Sequence, residues 1–500
     1  MIEVFYRHRT LRKQCAIEEG SAFSLYMGVD VGTTKIAVIL LDFDSGTIVA
    51  AHNAFNSSEV TDAEGKARGW SEWDADEAVE LTFKAMAEVP SLCSPHRVKG
   101  IGVTGQMHGM VLVSRNRRPL SPFIGWQDQR CNENVPGTDA SYIERMTRLA
   151  GDPGFSREGC HPATGYMGSS LFWLKQKCAL PSQAATACFL PDYLATRMTG
   201  VGPVTDSTNA GGSGIYDVVS REWDADLIER LGLRSDMLPE VRKSGESIGG
   251  LTEEAAKRTG LEEGTPVCVA CGDNQASFLG SVGSRRDTAL INIGTGGQIS
   301  LWVPKYLAVK GVDTRCYFDE SYLLVGAGLC GGRSYLVLNE FFKEVGRVFF
   351  GVKDDEELYD RMNRLASEVP PGSDGLVCEP FFTGTRLDPG LRGTWRGMSE
   401  SNFTAGHMTR ALLEGIARTF MILYAAMLQE GVSPRECLVG SGNAIRRNPL
   451  LTEILSDTFS MPIMIPRHGE EAAFGAALLA ALGCGEFEDI EEAARLVRYE

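Results

Sequence analysis

The 500-residue chain lacks several features that would assign its class at once. It has no G-x-x-x-x-G-K-[ST] phosphate loop, so a polyphosphate site would have to be built from other elements. No apolar run approaches the ~18 residues of a membrane span. Residues 1–24 mix Arg, His, Cys and Glu without periodicity and without the apolar centre of a secretory signal. They read as a mobile extension or an upstream start, with the fold beginning near Leu25. There is no excess of positive charge. The net charge of −16 argues against nucleic acid or an anionic membrane as the main partner, though a local nest of backbone N–H groups can still bind ATP. Cys268 and Cys271 form a C-x-x-C with no second pair nearby. The 13 scattered cysteines read as free thiols of a reducing, cytoplasmic compartment, and this pair as core. No low-complexity linker interrupts the chain, so the two domains expected at this length would be joined by a hinge rather than a tether.

Glycine is abundant, at 56 residues, and much of it falls where apolar runs end. Leu25–Val29 and Ile36–Leu41 flank Asp30-Val-Gly-Thr-Thr-Lys35, the pattern of a β-hairpin. Gly32 would let the backbone approach a ligand, Thr33 and Thr34 would add hydroxyl donors, and Lys35 a positive charge. Asp30 could hold Mg²⁺ through water. An ordinary hairpin would explain this stretch equally well by itself, but Thr288–Trp302 repeats it around Gly294-Thr295-Gly296-Gly297. Two such turns suggest related halves that serve one polyphosphate.

Elsewhere strands and helices alternate in an α/β manner. Helices are expected at Ala75–Val89 (capped by Asp74), Ser169–Lys177, Asp192–Met198, Ser334–Val345, Glu356–Ala366, Gly406–Glu430, Arg447–Phe459 and Glu470–Leu482. Strands are expected at Arg97–Thr104, Val111–Val113, Pro266–Ala270, Tyr322–Gly326, Cys437–Val439 and Pro462–Ile465, and loops at Pro119–Cys131 and Val201–Asp217. The strand-end position of Asp273 is where α/β sheets place ligand-binding groups, and a carboxylate there can take the proton of an attacking hydroxyl; it equally suits an Asp-Asn helix cap. Gln106, Met107 and His108 follow a strand end between glycines and can bind several hydroxyls, or be structural. Trp126, Asp128 and Arg130 offer an aromatic face, a carboxylate and a guanidinium to a sugar, or form a surface ion pair around Asp128 and Arg130. Gly440-Ser441-Gly442-Asn443 at a strand–helix junction can seat a nucleotide.

In this order, the set resembles the FGGY family of carbohydrate kinases over about Leu25–Leu482. Asp30–Thr34 resembles the family's first phosphate motif, Ile293–Gly296 the second, Gly440–Asn443 the adenosine motif, and Glu471-Ala-Ala-Phe-Gly475 the helix after it. Gly272-Asp273-Asn274 resembles the motif bearing the catalytic base, and Gln106-Met107-His108-Gly109 the ketose segment of the xylulokinase and sedoheptulokinase branches. The resemblance implies a two-domain actin-like ATPase fold, ribonuclease H-like, with a cleft between domains 25–276 and 277–500. It implies ATP-dependent phosphorylation of a terminal ketose hydroxyl with Mg²⁺. Asp273 would be the base and Asp30 the metal-side carboxylate. Gly32, Thr33, Thr34, Lys35, Gly294, Thr295, Gly296 and Gly440–Asn443 would serve ATP; Gln106, Met107, His108, Trp126, Asp128, Arg130, Asp273 and Asn274 would serve the sugar. Trp126–Cys131, Gln275-Ala276-Ser277 and Ser170 lean toward the sedoheptulokinase branch, with xylulokinase the alternative. The departures are Ala37, where the family usually has Lys or Arg, and Ser170, where many members have Lys. Expected partners are a small sugar and ATP, with no nucleic acid or membrane; a homodimer is left open. A filament- or chaperone-type ATPase would not need Asp273 with Met107-His108, and a non-catalytic sugar sensor would not need to retain Asp30 and Asp273.

Overall fold

The hairpin strands Leu25–Val31 and Lys35–Asp42 pair antiparallel, from Leu25 with Asp42 to Val31 with Ile36. Both are almost wholly buried, as their continuous apolar runs require. This is a computed structural model, and it describes residues 24–90, 98–352, 357–382, 384, 388 and 390–500. The expected extension 1–24 lies, apart from Ser24, outside the described residues, as do Arg97 and Glu356 of the expected strand and helix. The chain forms two compact units. One runs through Gly283 and adds Arg315–Tyr322 and Glu470–Arg498; the other comprises Ser284–Thr314, Leu323–Gly469 and Tyr499–Glu500.

In the first unit the sheet order is Ser247–Gly250, Pro266–Cys268, Val98–Gly105, Leu25–Val31, Lys35–Asp42, Thr47–Phe55, with Cys271–Gly272 also pairing Val98–Gly105. Leu25–Val31 therefore lies between an antiparallel partner and the parallel strand Val98–Gly105. The helix Glu471–Gly483 buries Ala473, Phe474 and the apolar residues that follow, the pattern of a core helix. It lies close enough that a Cβ at Gly28 would come 1.8 Å from Ala473 O, and one at Gly475 1.9 Å from Ala276 O. These glycines let the helix lock the sheet to the helix Asp273–Ser281. A single cut at 276/277 therefore does not describe the packing, because the tail helix joins the N-terminal elements.

Asp74 caps the helix Ala75–Glu88 as expected, accepting from Glu77 N at 3.0 Å. The stretch expected as loop, Val201–Asp217, is instead ordered and largely buried. It holds the strand Val204–Asp206 and the helical turn Ser207–Ala210. Its Ser and Thr residues imitate loop composition because they satisfy Asp206, a buried carboxylate that accepts from Thr208 N, Asn209 N and the Thr208 and Ser244 hydroxyls. Likewise Pro119–Cys131 contains a short strand, Phe123–Ile124, and the start of the 3-10 turn Arg130–Asn132.

The second unit repeats the hairpin topology. The sheet order there is Asp313–Cys316, Tyr322–Leu329, Gly297–Val303, Thr288–Ile293, Cys437–Ser441, Ile463–Met464, and of these strands Arg315, Cys316 and Tyr322 are counted with the first unit. Thr288–Ile293 pairs antiparallel with Gly297–Val303 and parallel with Cys437–Ser441, as Leu25–Val31 does with its two neighbours. The helix Ala405–Gln429 is long and apolar enough to cross a membrane by length and composition alone. Within its unit it buries Leu412, Leu413, Ile416 and Phe420 and carries the pair Arg410–Glu414, the character of a core helix.

Candidate active site

The first hairpin turn is tight. Gly32 N donates to Lys35 O at 3.0 Å, and a Cβ on Gly32 would come 2.8 Å from that carbonyl, so glycine is required there. Asn56 Nδ2 ties down Gly32 O at 2.8 Å. Thr33 is the junction of the site: its hydroxyl donates to Gln106 Oε1 at 3.1 Å and accepts from Trp126 Nε1 at 3.2 Å. Thr34 is exposed. Lys35 is ion-paired, Nζ to Glu470 Oε2 at 2.5 Å, while Asn53 Nδ2 holds the other Glu470 oxygen at 2.8 Å. Burial pushes the Lys35 ammonium down, but Glu470 outweighs this and the net shift is upward. Ala37 is buried opposite Asp30.

Asp30 is the next-to-last residue of its strand, with Oδ1 buried and lacking a protein partner. Burial first, then repulsion from Asp273, raises its pKa to about 7. Asp273 is the first residue of the helix Asp273–Ser281, whose N-cap is Gly272 and has no side-chain capping bond. Burial raises Asp273 to about 6, against the opposing charge of Arg315 and the N–H groups at the helix start. The two carboxylates thus feel one another, an arrangement that suits a proton acceptor working near neutral pH.

Around them lie polar groups without protein partners. Gln106 is 2% exposed, yet its Nε2 is unsatisfied; Asn274 is 5% exposed and neither amide atom is bonded. Buried polar atoms are ordinarily paired, so such a cluster marks a place for a ligand. Met107 packs against Gly272, where a Cβ would come 2.9 Å from its sulfur. His108 adopts φ 74° and stacks on Tyr166 with ring centroids 4.3 Å apart. Its Nδ1 lies 2.8 Å from Gly212 O, which can only accept, so this nitrogen is the donor. Trp126 keeps an exposed face, 45% accessible.

Asp128 and Arg130 do something different from what the sequence suggests. Both are buried, so the surface-pair reading does not describe them. Arg130 Nε and Nη2 donate to the two Asp128 oxygens at 2.8 and 2.9 Å, and Nη2 also to Glu72 at 2.6 Å. The guanidinium lies 4.5 Å from the Trp70 ring centroid. Asp128 Oδ2 also takes Ser71 N at 2.8 Å. With their polar atoms committed inward, the two residues brace the wall that presents Trp126.

In the second unit two expected motifs come together. Gly294 N donates to Gly296 O at 3.0 Å, leaving Thr295 and Gly296 exposed. Gly442, at φ 87°, passes so close to the turn that a Cβ would lie 2.5 Å from Ile293 O. It opens the short helix Asn443–Arg447, with Asn443 exposed; Gly440 and Ser441 are buried behind it. Gly331 and Gly332 also pack on the turn, Gly332 N donating to Gly294 O at 2.9 Å. That glycine pair was missed, although Gly-Gly before a helix is a readable signal. Glu470, Tyr166 and Arg315 were missed too, and no local motif points to them.

Residues 25–280 match the N-terminal domain, and residues 289–484 the C-terminal domain, of the FGGY family of carbohydrate kinases. The chain belongs to this family. FGGY kinases are ATP-dependent sugar kinases, and so is this protein. It is 28% identical to xylulose kinase of Bacillus subtilis over 480 residues, covering 94% of this chain and 90% of the relative. It is also 28% identical to sedoheptulokinase of Mus musculus over 487 residues, covering 91% and 96%. The crystal structure of xylulose kinase from Rhodospirillum rubrum superposes with a TM-score of 0.83 at 26% identity, over 95% of this chain and 93% of that one. The fold is therefore the actin-like ATPase fold of FGGY kinases, and the protein is a carbohydrate kinase similar to the xylulokinases and sedoheptulokinases.

Proposed function

We propose that the protein transfers the γ-phosphoryl group of ATP to the terminal hydroxyl of a ketose, with sedoheptulose, giving sedoheptulose 7-phosphate, the preferred substrate and D-xylulose the alternative. One observation carries this reading: Asp273 stands beside buried amide atoms of Gln106 and Asn274 that no protein group satisfies. A polyhydroxylated chain supplies the missing donors and acceptors. Gln106, His108 and Asn274 hold hydroxyls, Met107 and the exposed face of Trp126 meet C–H surface, and Asp128 and Arg130 hold that wall in place. Asp273 accepts the hydroxyl proton as the oxygen bonds to the γ-phosphorus and the bond to the leaving ADP oxygen breaks.

The Thr33 turn and, in the second unit, the Thr295 turn serve phosphates, and Gly440–Asn443 borders the nucleoside. Lys35 acts through its pair with Glu470. The unpartnered oxygen of Asp30 fits Mg²⁺ held through water. Among the described residues no group of three or more His, Cys, Asp or Glu could hold a metal, and Mg²⁺ carried by substrate phosphates and water needs only one such carboxylate. When bound, the ion neutralises phosphate charge.

Coupled ADP release over sedoheptulose, D-xylulose, D-ribulose and glycerol tests the assignment. Each buried group left unpaired costs about 1–3 kcal/mol, roughly 5- to 150-fold in kcat/KM. Sedoheptulose should therefore exceed D-xylulose, and glycerol should be poor. A clear preference for D-xylulose moves the assignment to that ketose, and glycerol as best substrate overturns the sugar-site reading.

A further inference from the structure

The stretch Arg315–Tyr322 belongs to the first unit although the chain on both sides of it belongs to the second. It is fastened at several points. Gln275 Nε2 donates to Cys316 O at 3.1 Å, Arg221 Nη2 to Ser321 O at 2.8 Å, and Tyr322 OH to Val218 O at 3.1 Å. The Tyr317 ring meets Phe278 edge-on, with centroids 5.7 Å apart. Two of these anchors, Gln275 and Phe278, lie on the helix that Asp273 begins.

At the head of the stretch Arg315 is 8% exposed, and its Nη1 lies 4.0 Å from Met107 Sδ. That sulfur in turn packs on Gly272, the residue before Asp273. Guanidinium, thioether and the first turn of the Asp273 helix are thus contiguous. Asp273 is a carboxylate on which the Arg315 charge acts.

We propose that Arg315 is a positioning residue for the phosphoryl transfer: its guanidinium orients the Asp273 carboxylate and, pressed against Met107, fixes the wall on which the sugar lies. The inference rests on the ketose reading of this site and adds a residue that no motif of the sequence contains. The latched stretch explains why the chain returns to the first unit here: it delivers one charge to the reacting group.

The test compares Arg315→Met and Arg315→Lys with wild type on the best sugar of the panel, with unfolding midpoints measured alongside. Arg315→Met should lower kcat/KM for the sugar by about 10²-fold, chiefly through kcat, with KM for ATP unchanged. Arg315→Lys keeps the charge but loses the planar fork, and should recover about tenfold of that loss. Wild-type kinetics in Arg315→Met overturn the proposal. So does a Lys variant no better than the Met variant when both keep the wild-type midpoint. Should Arg315→Met not fold, Arg315→Lys decides: a loss in sugar kcat/KM with KM for ATP unchanged supports the role, and wild-type values refute it. Wild-type turnover on the panel tests the ketose reading separately, since the Arg315 ratios are taken on whichever sugar is used.

Discussion

Two polar clusters of the first unit look alike in sequence and differ in physics. Asp128 and Arg130 are buried and complete: every oxygen and the guanidinium have protein partners. Gln106, Asn274 and Asp30 have atoms that are buried and bonded to nothing in the protein. Closed clusters stabilise a wall, whereas open ones hold chemistry in reserve, because an unsatisfied buried polar atom costs stability until a ligand completes it. Composition does not separate the two; hydrogen-bond completeness does.

The strongest way to break this contrast is to open the closed cluster. Arg130→Met leaves Asp128 buried without its cation, and should cost about 3–5 kcal/mol of stability in a denaturant titration. The loss should appear first in stability, with only the modest rise in sugar KM that a loosened Trp126 wall brings. A large rise in sugar KM with unchanged stability would put Arg130 back among the sugar contacts.

Truncating the open cluster should do the reverse. Asn274→Ala removes two atoms that nothing in the protein satisfies, so its unfolding midpoint should hold or rise; Gln106→Ala removes one such atom together with the acceptor of the Thr33 hydroxyl, so its midpoint should stay within a small change of wild type. Sugar kcat/KM should fall by about 5- to 150-fold for each. Loss of stability without loss of activity would show that these amides are structural.

The smallest effect is in pH. The raised pKa values of Asp273, about 6, and Asp30, about 7, mean that the folded protein binds more protons than the unfolded chain above the ordinary value of 3.8. Their contribution therefore makes stability fall as pH rises from that value through about 6–7, then level off. Asp273→Asn should flatten part of this slope and leave the protein relatively more stable at pH 8, as read from midpoints at several pH values. An identical slope in the variant would show that Asp273 is not the perturbed group.

Much of this was legible in the sequence, for reasons that can be named. The hairpins were, because Leu25–Val31 and Thr288–Ile293 are continuous apolar runs that end in Gly-Thr turns. So was the placement of Gln106–His108 and Asp273–Asn274 just beyond the ends of the strands Val98–Gly105 and Cys271–Gly272, because apolar runs stop there. The burial of Asp128 and Arg130 was not, since their partners Glu72, Trp70 and Ser71 lie far off in the chain. Val201–Asp217 was read as loop because Ser and Thr that serve a buried Asp206 look like loop residues. The tail helix Glu471–Gly483 was placed with the second half because small-residue packing on Gly28 and Ala276 leaves no local mark of its partner. Arg315 was invisible for a similar reason, because its role depends on a brief return of the chain to the first unit.

The central claim is that the open cluster around Asp273 is where phosphoryl transfer is initiated. Ketose-dependent ADP release by Asp273→Ala, measured beside wild type, tests it most directly. Loss of the general base should lower kcat by at least ~10²-fold while KM for ATP and the unfolding midpoint are retained. Near-normal turnover in that variant would contradict the claim and leave Asp273 as no more than the first residue of its helix.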